Sequence, residues 1–284
     1  GNYYEYDSLL FFSAYNPVIG VEIFVFDGNC SNTRLLKDIN LNPIPDQQPI
    51  PLIEFQGLGI LSAYDPIYGR QLWRTDGTDT GTYRITSGTE ISYINKVVKL
   101  DGYFYISSAT GLYKSDGTAL GTVRLHNFRT YNVITYNNNI YFLSGYYIYN
   151  SYGFYKYNPI TDSVSLIYSF MSPGSNMIVF DNKIIFESRE VPMPCNNIWI
   201  SDGTPSGTSK INFNYQCYAS GGEASGFTEF KGKIYFRFPE DSNGYELWVT
   251  DGTSAGTHLV HDLNPGPQNS DISNIVIMGN KMFF

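Results

Sequence analysis

One string governs what this chain can fold into. LWRTDGTDTGT at 72–82 returns as LYKSDGTALGT at 112–122, IWISDGTPSGT at 198–208 and LWVTDGTSAGT at 247–257. Two degraded copies, IFVFDGNCSNT at 23–33 and FYKYNPITDSV at 154–164, bring the set to six. The first turn residues, Asp27, Asp76, Asp116, Asn158, Asp202 and Asp251, are separated by 49, 40, 42, 44 and 49 residues. A period of about 45 residues suits a four-stranded propeller blade.

A second element precedes each copy: EYDSLLFFSA (5–14), EFQGLGILSA (54–63), KLDGYFYISS (99–108), TYNNNIYFLS (135–144), VFDNKIIFES (179–188) and EFKGKIYFRF (229–238). Each reads as strand, tight turn, strand, because Asp101-Gly102, Asp181-Asn182 and Lys231-Gly232 hold residues that tolerate positive φ. These form strands A and B. The motif then supplies strand C with its aromatic (Trp73, Tyr113, Trp199, Trp248), a turn, and strand D. In that turn the Asp caps backbone amides, the first Gly (Gly77, Gly117, Gly203, Gly252) supplies left-handed φ, and the Thr hydroxyls bond locally. Asp27, Asp76, Asp116, Asp202 and Asp251 are therefore expected to be structural. The fourth unit, with Asn158-Pro159 in place of Asp-Gly, is expected to form an irregular hairpin.

Small sheets stacked around an axis cover both faces of each unit and leave only short edges, so the expected fold is all-β, a propeller of four-stranded antiparallel blades. A β-solenoid would use shorter coils without two hairpins per repeat. A single domain over 1–284 divides into units at about 1–46, 47–91, 92–130, 131–173, 174–222 and 223–269, with a partial unit at 270–284. That last stretch, SNIVIMGNKMFF at 273–284, is a seventh A–B hairpin. Seven blades are favoured. A six-bladed ring whose last hairpin extends to a neighbour is the alternative, and carries the expectation of self-assembly.

The strings resemble the repeats of secreted and surface proteins with the pattern E-L-W-x-x-D-G-T-x-x-G-T, matched in full from Glu246 through Thr257 and continued by DLNPG at 262–266. The resemblance implies a propeller and an extracellular or cell-surface location, and little about function.

Composition excludes several classes. With 25 Tyr and 19 Phe but only 15% charged residues, the chain favours packed sheets over disorder or helix. A net charge of -8 argues against nucleic acid, which needs clustered Lys and Arg. No apolar run reaches the 18 or so residues of a membrane span. The chain begins at Gly1, which leaves open a mature chain after signal removal and a piece of a longer one. Three cysteines, Cys30, Cys195 and Cys217, lack any CxxC or Cys/His spacing, so zinc and redox chemistry are unsupported. A Cys195–Cys217 disulfide and three unpaired thiols are equally open.

The A–B and C–D turns fall at one end of each sheet, the B–C and D–A connections at the other. The second end varies most and is the expected binding face. Its candidates are Tyr15, Tyr64, Asp65, Tyr68, Tyr147, Tyr149, Glu240, Asp241 and Tyr245, since Tyr beside acceptors suits a glycan and also a protein partner. Catalysis finds less support. His126 is isolated, and His258 and His261 at i, i+3 on a strand point to opposite faces. Asp262 has no nucleophile motif beside it, and Glu240 with Asp241 suits a glycosidase only if their carboxylates straddle a cleft. The Asp-Gly-Thr turns lack a calcium ladder, and no cofactor or metal is expected. Asn29-Cys30-Ser31 is a rare-type glycosylation sequon. The expected function is a non-enzymatic binding or adhesion module for a glycan or protein. The alternatives are a structural subunit of a surface or filamentous assembly, and a glycoside-acting hydrolase.

Overall fold

The computed structural model describes residues 3–6, 8–39, 49–86, 91, 93–146, 151–170, 172–189, 196–215 and 222–284. They form antiparallel sheets and, among the described residues, one short 3-10 turn at Cys30–Asn32. Sheet 1 contains β1 (Tyr3–Tyr6), β2 (Leu9–Asn16), β3 (Gly20–Phe26) and β4 (Arg34–Lys37); sheet 2 contains β5 (Ile50–Phe55), β6 (Leu58–Asp65), β7 (Gly69–Thr75) and β8 (Tyr83–Arg84). Sheet 3 contains β9 (Lys96–Leu100), β10 (Tyr103–Ser108), β11 (Gly111–Ser115) and β12 (Val123–His126). Sheet 4 contains β13 (Thr130–Tyr136), β14 (Asn139–Tyr146), β15 (Ser151–Asn158) and β16 (Ser163–Phe170). Sheet 5 contains β17 (Ser172–Phe180), β18 (Lys183–Arg189), β19 (Asn196–Ser201) and β20 (Thr208–Lys210); sheet 6 contains β21 (Ser225–Phe230), β22 (Lys233–Glu240), β23 (Gly244–Thr250) and β24 (His258–His261). A two-stranded hairpin, β25 (Val276–Met278) and β26 (Lys281–Phe283), follows. Every sheet keeps sequence order from strand to strand.

Two compact units contain these sheets, Gly1–Asn127 with sheets 1 to 3 and Phe128–Phe284 with the rest. Within each unit the apolar cores lie between consecutive sheets. Phe11, Ile23, Val25 and Leu36 of sheet 1 pack with Leu61 and Ala63 of sheet 2, and Ile60 and Leu72 with Phe104 and Ile106 of sheet 3. In the second unit Tyr141, Leu143 and Phe154 of sheet 4 meet Ile184, Phe186 and Trp199 of sheet 5, and Ile185 and Ile198 meet Phe236, Phe238 and Trp248 of sheet 6. Each strand has alternate residues on the two faces, so one strand serves two cores. Ile184 and Phe186 of β18 look back to sheet 4, while Ile185 looks forward to sheet 6.

The A–B turns have the two-residue form. Both central residues have positive φ at Gln56-Gly57, Asp101-Gly102, Asn137-Asn138, Asp181-Asn182 and Lys231-Gly232, the geometry that matches strand twist. The fourth unit differs from the irregular hairpin expected of it. Asn158 Oδ1 accepts the Ile160 and Thr161 N–H groups, the Tyr157 hydroxyl donates to Asp162, and β15 and β16 pair from Asn158↔Ser163 to Tyr152↔Phe170 around one bulge. An Asx turn thus replaces Asp-Gly-Thr without loss of order. No helix among the described residues is long and apolar enough to cross a membrane.

Candidate recognition surface

The two ends of each sheet have different chemistry. At the C–D end, Asp76 Oδ1 accepts the N–H and hydroxyl of Thr78 at 2.9 and 2.7 Å. The Thr78 hydroxyl in turn accepts Gly81 N–H, and the Thr82 hydroxyl donates to the Thr78 carbonyl. Beneath the turn the hydroxyls of Thr75 and Thr82 meet at 2.7 Å, and Thr75 accepts Gly77 N–H. The same circuit recurs around Asp116, Asp202 and Asp251, with Ser115, Ser201 and Thr250 in place of Thr75. The Thr hydroxyl and then its N–H hold the carboxyls of Asp76, Asp202 and Asp251 below the ordinary value. Partial burial of Asp116 opposes this, yet its Thr118 bonds leave the net shift downward. The degraded first copy caps differently: Asp27 accepts the Asn32 side chain and Asn29 N–H.

The first glycine needs its conformation, Gly77 having φ +90°. The second, Gly81, needs its lack of a side chain, because a Cβ there would lie 1.9 Å from Asp76 Oδ1. The turns also tie sheets together: Gly77 faces Leu9 and Phe11 of sheet 1, and its carbonyl accepts from Arg34 at 2.5 Å. Lys37 reaches the Asp79 and Thr82 carbonyls. Thr250→Val removes one buried hydroxyl pair at constant shape and strands the Gly252 N–H, so urea unfolding should show a loss of about 1–2 kcal/mol. An unchanged midpoint would contradict the circuit's structural role.

At the opposite end the hairpins present side chains outward. Sheets 1 and 2 run in the same sense, since Leu9 near the A–B turn faces Gly77, while Ser13, farther along β2, donates to the Pro49 carbonyl that leads into β5. Their B–C turns therefore project together. Both are built alike: Asn16 Oδ1 accepts Val18 N–H and Asp65 Oδ1 accepts Ile67 N–H, and each ends in a positive-φ glycine, Gly20 or Gly69. This puts Val18 and Ile67 at equivalent tips, 84% and 79% exposed; Tyr15, at the end of β2, is 73% exposed, and Tyr93 of the connection to sheet 3 is 76% exposed. Asp65 Oδ2 pairs with Arg84 at 2.7 Å, and the Arg84 guanidinium lies 4.1 Å over the Tyr68 ring. Tyr64 is half-buried.

In the second unit the B–C turn of sheet 6 is occupied internally. Glu240 accepts the Asn243 amide, Arg237 lies 4.2 Å over Tyr245, and the Tyr245 hydroxyl accepts Glu223 N–H. Asp241 is exposed beside them. Tyr147, Tyr149, Cys195 and Cys217 lie outside the described residues. Cys30 is an exposed free thiol, and Asn29 caps the 3-10 turn by accepting the Ser31 N–H and hydroxyl. Among the described residues no three His, Cys, Asp or Glu side chains gather as a metal site.

Three sets of residues escaped sequence reasoning. One is the hydroxyl residue before each Asp, visible as the T or S in all four full copies. Another is the position opening E-L-W, where Glu22 and Glu246 are buried and accept the Ile39 and Leu263 N–H groups that follow strand D, and Gln71 accepts the Thr86 hydroxyl. The third is the fifth residue of strand B, which is serine in sheets 1 to 3 (Ser13, Ser62, Ser107), Leu143 in sheet 4, Glu187 in sheet 5 and Arg237 in sheet 6. Glu187 is fully buried. Neither of its carboxyl oxygens accepts a well-formed hydrogen bond. Burial, then the nearby Glu223 charge, push its carboxyl well above the ordinary value; the Asn176 side chain, Ala224 N–H and Arg189 oppose this without prevailing.

No protein-family model matches the chain, and no curated relative matches it. Solved structures do. The computationally designed Ika8 protein is similar over 99% of this chain and 78% of its own, with TM-score 0.56 and 10% identity. A puromycin hydrolase is similar over 92% of this chain with TM-score 0.52 and 10% identity, and a prolyl endopeptidase over 99% with TM-score 0.57 and 9% identity. The chain spans only 46% and 45% of those two propeller-containing peptidases. At such identity the likeness is one of fold.

Proposed function

We propose that the chain is a non-enzymatic binding module, extracellular or at a cell surface, that recognises a protein ligand through the B–C end of sheets 1 and 2. The observation that carries this reading is the pair of aliphatic tips, Val18 and Ile67, exposed at equivalent positions of consecutive hairpins, with Tyr15 and Tyr93 also exposed. Branched aliphatic tips offer nothing to a sugar hydroxyl and bury well against protein, whereas Tyr15 and Tyr68 alone would also suit a glycan. The surrounding fold is read as a closed propeller, seven blades favoured over six. Support for that comes from sheets in unbroken strand order and from likeness to propeller-containing peptidases.

Panning a displayed peptide library on the purified chain, beside a glycan array, tests the binding reading. Peptides selected on the natural sequence should bind the Val18→Asp, Ile67→Asp double variant at least about tenfold more weakly, a loss of roughly 1.4 kcal/mol. Equal binding would place recognition elsewhere, and array signals lost on Tyr68→Ala would substitute a glycan ligand. An assembly role is the second reading, favoured by the exposed Val276, Ile277, Met278 and Phe283 of the β25–β26 hairpin.

A further inference from the structure

Five of the six D strands, the last strand of each four-stranded sheet, carry devices that discourage pairing with another chain. They are short, four residues in β4, β12 and β24, three in β20 and two in β8. Each holds a basic or imidazole side chain: Arg34 and Lys37, Arg124 and His126, His258 and His261, Lys210, and Arg84. Short strands and charges on an edge are how sheets resist edge-to-edge association. The D strand of sheet 4 breaks the pattern. β16 has eight residues, Ser-Val-Ser-Leu-Ile-Tyr-Ser-Phe, with no charge, proline or glycine.

The fourth unit also departs from the repeat in its turn and in how far strand D stays paired. Where Asp-Gly-Thr is replaced by the Asx turn at Asn158, pairing continues past the bulge at Ile167 to Phe170. Inward residues Ile167 and Phe170 join the aromatic core, while Leu166 stays 50% exposed. β16 neighbours only β15, so its other backbone edge is unpaired within sheet 4. From Tyr157 to Phe180 the sole charged residue is Asp162, in a chain of net charge -8.

We propose that this edge is a self-association surface, with β16 pairing antiparallel to β16 of a second copy about a two-fold axis, centred on Ser163–Leu166. A second copy fits better than a foreign peptide because the run holds no charge with which to select one. With Asp162 the sole charge from Tyr157 to Phe180, this stretch also adds little to the repulsion between two chains of net charge -8. A two-fold antiparallel pair requires only that the strand tolerate itself, and Ser, Val and Leu do. A strand-sized contact is small, so the dimer should be weak and transient.

Sedimentation velocity across a concentration series, with amide hydrogen exchange on the same samples, tests the proposal. A monomer–dimer equilibrium is expected at about 10–100 μM, with amides of 163–170 exchanging more slowly as concentration rises. Leu166→Lys, which gives β16 the device its counterparts carry, should weaken dimerisation at least tenfold. Leu166→Ser serves if the lysine variant misfolds, and the exchange measurement needs no variant. A monomer at every concentration overturns the proposal. So does a dimer that leaves 163–170 unprotected, including one that instead protects 276–284.

Discussion

Replacing Trp199 by alanine is expected to cost about 3–5 kcal/mol of unfolding free energy, the range for emptying a large aromatic site in a close-packed core. Trp199 is 2% exposed and occupies the aromatic position of the repeat in sheet 5. Its ring lies 5.0 Å from Phe170 edge-on and 4.9 Å from Tyr168, with Phe186 stacked at 6.4 Å. Its indole N–H donates to the Ser188 carbonyl. Truncation therefore opens a void between sheets 4 and 5 and leaves aromatic edges without partners. Trp73, at the same position of sheet 2, is only half-buried against its cluster. Trp73→Ala should cost clearly less. Chemical denaturation of both variants checks the ranking, and equal losses would show that burial between sheets is not what the aromatic position supplies.

Glu187→Gln should change the pH dependence of stability and do so in a set direction. The Glu187 carboxyl is held well above its ordinary value, chiefly by burial. Between the unfolded and folded values the native chain keeps a proton that the unfolded chain releases. The contribution is therefore full below the unfolded value, and stability falls as pH rises towards the folded one. One proton sets the limiting slope in that window at about 1.4 kcal/mol per pH unit. Glutamine preserves shape and cannot ionise, so the variant should match the natural chain near pH 4.5 and exceed it increasingly above. The Asp76, Asp202 and Asp251 turns act oppositely, losing their contribution as pH falls below the ordinary carboxylate range. Thermal melts carried from about pH 2.5 to 9 separate the two trends, the Asp turns acting below the ordinary carboxylate value and Glu187 above it. A variant with the same slope as the natural chain would rule out Glu187 as its source.

What the sequence disclosed follows the range of the forces involved. Asp101-Gly102 and Asp181-Asn182 are readable as hairpin turns because φ preference is local, and the Asp-Gly-Thr strings because their bonds span few residues. Longer-range features were hidden. The meeting of Thr75 with Thr82 needs the folded hairpin to bring two hydroxyls together. The role of Gly81 is a steric one, set by where the Asp76 carboxylate sits. Arg84 over Tyr68 joins strand β8 to the B–C turn of its sheet, a meeting that sequence alone does not register. At the candidate surface, Tyr residues were conspicuous by number, yet Tyr245 is engaged under Arg237 while the inconspicuous Val18 and Ile67 stand exposed. In the fourth unit the Asp-Gly-Thr string is absent, but Asn158 caps the turn by a different set of bonds, which the missing string does not announce.

The Asp-Gly-Thr turns tie neighbouring sheets together, and the B–C end of sheets 1 and 2 is the proposed binding surface. The most direct test of this division is the binding of peptides panned on the natural chain to two variants side by side, at a temperature where both are folded. The Val18→Asp, Ile67→Asp variant should lose at least about tenfold in affinity, while Thr250→Val, altered only at the other end, should bind as the natural chain does. Retained binding by the first variant, or an equal loss by both, would contradict the division.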